Sequence, residues 1–227
     1  MSVSNRKQAF LMPRTNPTTL FLEWKSNEKC FSYYDKEKSE KVLIPLPFKF
    51  LVLDELHTVK GWNDASSSGI FSNEVKFISK EILTVKPFKG NEIAKGLYKD
   101  IKEVVNKAGG NYIKSIYIML ENGSLANIQL KGSAVQKWGE FTQKTKSRLS
   151  DEWVVVAKAN EGKKGAVSFT TPEFSFLSSL SELESEKADE CFNILESYLK
   201  TYLSKSDDIE VIDSEVIGDD EGDGLDF

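Results

Sequence analysis

The sequence predicts a mainly β chain with helices, an α+β fold in which a five-stranded barrel is elaborated by extra strands and two additional helices. Three observations lead there. Short apolar runs bounded by Gly, Pro, Asn and Ser recur along the first two thirds of the chain. An Asn122-Gly123 pair sits between two of these runs, the favoured chemistry of a tight β-turn because both residues tolerate positive φ. Apolar residues at helical spacing then mark a few longer segments.

Element by element, residues 1–19 hold two prolines and many polar side chains, and are expected to be a flexible N-terminal arm. Thr19 to Trp24 and Lys29 to Tyr34 read as short strands around Ser26-Asn27. A long β-rich stretch runs from Lys41 to Val59, with Pro45 and Pro47 placing its first part at an edge or a bulge. Residues 60–69 read as a loop from their Gly, Asn, Asp and Ser content. Gly69 to Ile78 and Glu81 to Phe88 follow as strands. Asn91 opens a helix to about residue 107, with Ile93, Leu97, Ile101 and Val104 on one face and Gly109-Gly110 as its stop.

The hairpin Lys114–Leu120 and Leu125–Lys131 comes next. A helix from Ser133 to about Leu149, a strand from Glu152 to Ala159, a basic turn at residues 160–165, a strand from Ala166 to Phe176 and a helix from Ser181 to Ser204 complete the folded part. Strand, strand, strand, helix, strand, strand over 41–131 is the element order of the OB fold, a partly open barrel that commonly binds oligonucleotides, and an unrelated α+β sheet can share it. The helix would plug its bottom. Residues 20–204 are thus expected to form one OB-fold-like nucleic-acid-binding domain.

Charge is unevenly distributed. The 227 residues carry 30 basic and 35 acidic side chains, a net charge of −5. Ten of the acids fall in residues 207–227, which hold no Lys or Arg, so residues 1–206 carry about +5. A single-sign block of this kind repels itself and usually serves as an interaction tail. Residues 205–227 are expected to be a disordered acidic tail. No apolar run approaches the roughly 20 residues of a membrane helix, and the N-terminus does not read as a signal peptide. Two cysteines, Cys30 and Cys191, fit a reducing compartment, so a cytoplasmic location is expected, with no membrane partner.

Two constellations carry chemistry. Lysines alternate with rings at Lys60 and Trp62, Phe71, Lys76 and Phe77, Lys86, Phe88 and Lys89, and Lys131 ends the hairpin. A protein holding an unpaired strand needs cations near phosphates and flat faces on which bases stack. The competing reading of any one Phe is core, and of any one Lys an ordinary solvated surface. Trp62 stands out, because a Trp between Gly61 and Asn63 has little core to enter. The second constellation is the terminus, where Asp219, Asp220, Glu221, Asp223 and Asp226 can imitate a phosphate backbone. Leu225 and Phe227 offer apolar anchors to a partner pocket.

This terminus resembles those of bacteriophage and bacterial single-stranded-DNA-binding proteins, which pair an OB fold with an acidic tail ending in Phe. The close match covers about the last ten residues. The helices at 133–149 and 181–204 are larger than the simplest members carry. The resemblance implies binding of single-stranded DNA during replication, recombination or repair. It implies recruitment of polymerase, helicase-primase or recombination factors through the tail, and self-competition for the groove. It also implies that the source is a phage.

Enzyme readings find less support. Asp54, Glu55 and His57 could ligate a metal for a nuclease, but on a strand Asp54 and Leu56 face opposite Glu55 and His57, and His57 is the chain's one histidine. There is no Gly-x-Ser-x-Gly turn, no phosphate-binding loop and no cysteine pairing for zinc. No catalytic residues, metal or cofactor are therefore expected. A protein–protein adaptor whose tail mimics DNA, and the metal-dependent nuclease, are the competing functions.

Overall fold

The computed structural model describes residues 16–204, except Thr19 and Lys144. The N-terminal arm proposed for residues 1–19 lies almost wholly outside the described residues, and the acidic tail at 205–227 lies entirely outside them. Among the described residues, eleven strands and three α-helices make an α+β fold. No helix among the described residues is long and apolar enough to cross a membrane.

The spine is β4 (Phe48–Asn63), sixteen residues long. Along one edge it pairs antiparallel with β8 (Gly110–Leu120) from Phe50 to Gly61, with a bulge between Val52 and Asp54. Its other edge is forked. β10 (Glu152–Lys164) takes Phe48 to Phe50, and β5 (Ser68–Ser72) takes Lys60 to Asn63. From β5 the sheet continues to β6 (Leu83–Pro87) and β7 (Ala94–Gly96). From β8 it passes to β9 (Leu125–Leu130), β1 (Leu20–Lys25), β2 (Cys30–Asp35) and β3 (Glu40–Ile44). β11 (Val167–Ser179) pairs only with β10 among the described residues.

The strands expected to make a partly open five-stranded barrel do not close into one. Closure would bring β6 back to the free edge of β9, but β1 of the N-terminal hairpin occupies that edge in parallel register, Leu20 opposite Ala126 through Glu23 opposite Gln129. β6 pairs with β7 instead. The sheet is open, its path ending at β3 on one side and β7 on the other.

Pleat alternation sorts the side chains into layers. Leu22, Trp24, Phe31, Phe50, Val52, Ile116, Ile118 and Ile128 pack on one face with Phe174 of β11 and Trp138 of α2 (Ser133–Thr142). Leu51, Met119 and Leu125 face the other way, against Ala188 and Cys191 of α3 (Glu182–Ser204), and Leu56 and Tyr117 meet Leu195 and Leu199 further along it. A third cluster joins Val59, Ile70, Leu83 and Val85 to Ile101 and Val105 of α1 (Tyr98–Lys107).

Several boundaries differ from the sequence expectation, each for a local reason. Residues 60–63 belong to β4 and not to a loop. Gly61 is there because a Cβ would lie 2.1 Å from the Gly109 carbonyl oxygen, so its presence marks a close backbone approach. β5 stops at Ser72 because the Asn73 side chain takes over the ladder, accepting from Thr84 N at 2.8 Å and donating to Ile82 O at 3.0 Å. α1 begins at Tyr98 and Asn91 does not cap it, because residues 94–96 pair with β6. Its buried stripe is Ile101 and Val105, while Val104 is exposed. α2 ends at Thr142, where Thr142 and Thr145 turn their hydroxyls back onto the Trp138 and Phe141 carbonyls; a short 3-10 turn at Lys146–Arg148 follows. β10 and β11 run past the expected basic turn at 160–165, pairing out to Lys164 with Val167.

Candidate nucleic-acid interface

β4, β5 and β6 set their residues in two rows. Lys60 is opposite Phe71, and Phe71 is opposite Lys86. In the next row Trp62 is opposite Gly69, whose carbonyl accepts from Phe88 N at 2.9 Å. Directly opposed residues share a face, and α1 covers the other face through Val59, Ile70 and Val85. Lys60, Trp62, Phe71, Lys86 and Phe88 therefore stand together on the side turned away from α1, five of the nine residues selected from sequence.

The rings are arranged as a platform. Phe71 and Phe88 lie with centroids 4.8 Å apart and planes inclined by 34°. Gly69 makes this possible, since a Cβ there would come within 2.9 Å of the Phe88 ring. Trp62 is 37% exposed and Phe88 38%, whereas the chain's other three tryptophans, Trp24, Trp138 and Trp153, are buried. Lys86 and Lys89 are exposed, and neither forms an ion pair among the described residues. Lys89 lies at the rim, its backbone N–H donating to Ser68 Oγ at 3.2 Å.

Lys60 leans back over the sheet, its Nζ 5.5 Å from the centre of the Phe21 ring on β1. Burial lowers its pKa, against the pull of Glu74 and Glu23. Burial works to raise the Glu23 carboxyl, but Lys25, at 3.1 Å, with Lys131 and Lys60 outweighs it and holds the carboxyl below its ordinary value. Lys131 thus flanks the same face from β9's end. Phe21 and Glu23 escaped the sequence reading because Leu20-Phe21-Leu22 shows no alternation; the inward pair Leu22 and Trp24 was the available signal.

Lys76 and Phe77 are not part of this platform. They follow β5 into the fork, where they line a cavity of about 420 Å³ with Asp54, Glu55, His57, Lys114 and Lys146. Each of its lysines lies against a fixed acid: Lys76 pairs with Asp54, while Lys114 at 3.4 Å and Lys146 at 3.9 Å share Glu55. Trp138 Nε1 also donates to Glu55. His57 Nδ1 contacts the Tyr112 hydroxyl, and burial followed by the Lys114 charge lowers its pKa from 6.5 to about 4. The acidic groups weighed as metal ligands are thus engaged with cations. Among the described residues no group of three or more His, Cys, Asp or Glu is placed to hold a metal ion.

The tail residues Asp219, Asp220, Glu221, Asp223, Leu225, Asp226 and Phe227 lie outside the described residues. Compared with protein-family models, curated proteins and solved structures, the chain matches none.

Proposed function

We propose that this protein binds single-stranded DNA without sequence preference, as in phage-type replication or recombination. The observation that carries the proposal is the row-by-row convergence of Lys60, Trp62, Phe71, Lys86 and Phe88 on one face left open by α1. Aromatic faces accept any base, each stacked base contributing about 1–3 kcal/mol. Lysines beside them neutralise phosphates and release counterions, a contribution that weakens with salt. The acidic terminus, with Asp219, Asp220, Glu221, Asp223 and Asp226 beside the apolar anchors Leu225 and Phe227, competes for the basic face and recruits replication proteins such as a polymerase, a helicase-primase or recombination factors.

Trp62 supplies the test, because the other tryptophans are buried. Oligo-dT should quench the fluorescence of the full chain, and added salt should reverse the quenching. Trp62→Phe should remove most of the signal. A chain whose emission ignores oligo-dT in dilute buffer would instead favour the adaptor reading.

A further inference from the structure

Leu22, Trp24 and Phe31 commit one face of β1 and β2 to the core. Alternation turns Phe21 and Glu23 of β1, and Ser32 and Tyr34 of β2, to the opposite face, and Leu43 of β3 stands across from Ser32. An outward sheet face is normally polar. Here Phe21 is 42% exposed, Tyr34 44% and Leu43 47%. The Phe21 contact with Lys60 shows that this second apolar group lies on the same side of the sheet as the Trp62, Phe71 and Phe88 platform.

The two groups are joined by charge. Lys25, Lys60 and Lys131 all act on the single carboxylate of Glu23. One carboxylate facing three ammonium groups leaves the junction positive, even with Glu74 near Lys60. Rings on which bases stack, with cations between them to meet the backbone phosphates, are the two elements a single-strand surface combines.

We infer that a strand held on Trp62, Phe71 and Phe88 continues across the Lys25–Lys60–Lys131 junction onto Phe21 and Tyr34, a backbone phosphate replacing Glu23 as their shared counter-ion. This rests on the single-strand reading above and extends it to a second stacking platform. The occupant is single-stranded nucleic acid and not a polypeptide, because the exposed rings are interleaved with lysines and the acid at their centre is already neutralised.

The test uses the full chain with oligo-dT of about 4 to about 16 nucleotides, the range of single-strand site sizes. Phe21→Ala and Tyr34→Ala should each lose about ten-fold in affinity for the long oligonucleotides, as the loss of one stacked base implies. They should match the wild type on the shortest, and Phe21→Trp should restore long-oligonucleotide binding. Both positions are exposed, so thermal midpoints should not move, and Tyr34→Ala does so without touching Lys60. Wild-type affinity of both variants at every length would overturn the continuation and leave the first platform standing. An equal loss at every length would overturn it too, since the rings would then act through Lys60 and not through added bases. Failure of the wild type to bind any length would overturn this inference and the proposed function together.

Discussion

The Trp62 platform and the fork cavity are built from the same kinds of residue, yet their chemistry differs. Both set aromatic rings beside lysines on segments that flank β5. In the fork each cation has an acid to itself or shares one: Lys76 with Asp54, Lys114 and Lys146 with Glu55. On the platform Lys86 has no acidic partner among the described residues, and the rings of Phe71 and Phe88 lie against each other with an exposed side. A lysine already neutralised by a fixed carboxylate releases no counterion when a phosphate arrives, so it adds little to binding. Proximity of rings and lysines in sequence does not separate the two cases. The pairing of charge does.

The contrast breaks most readily at the two exposed rings. Trp62→Ala should weaken single-strand binding by about 1–3 kcal/mol, roughly 5- to 150-fold. Phe77→Ala, at a ring 57% exposed in the fork, should leave affinity unchanged. Titrations with a labelled oligo-dT distinguish them, and comparable losses in both would erase the distinction drawn here.

A smaller effect sharpens the other side, where the fork acts on stability. His57 in the folded chain titrates at about 4, below its ordinary 6.5. The unfolded chain therefore takes up a proton first as pH falls, and stability is fully present above 6.5 and declines towards 4. Thermal midpoints should drop through that window, and His57→Gln should flatten the drop while leaving single-strand affinity at neutral pH intact. A window unchanged by the substitution would remove His57 from the account.

Local chemistry was readable from the sequence where it was self-contained. Asn122-Gly123 closes the β8–β9 hairpin, with Gly123 at φ 77°, and α3 begins within one residue of its expected start. The interleaving of rings with lysines had picked out Lys60, Trp62, Phe71, Lys86 and Phe88, which the pairing of β4, β5 and β6 sets on one face. What escaped depended on partners distant in sequence. The free edge of β9 is filled by β1, about a hundred residues upstream, and that pairing keeps the sheet open. Gly61 and Asn63 looked like loop residues, whereas Gly61 serves a contact with Gly109 and Asn63 donates to the Ala108 carbonyl. Lys76 and Phe77 kept the right composition but left the strand once Asn73 capped it. Phe21 was hidden in an unbroken apolar run.

The most direct test of the account is a salt titration of oligo-dT affinity for the full chain and for a chain lacking residues 207–227. A basic face that its own acidic terminus imitates should bind tighter once those ten acids are gone. The gain should be largest in dilute buffer, and the two curves should converge as salt rises. No binding by either protein at the lowest salt would contradict the central claim.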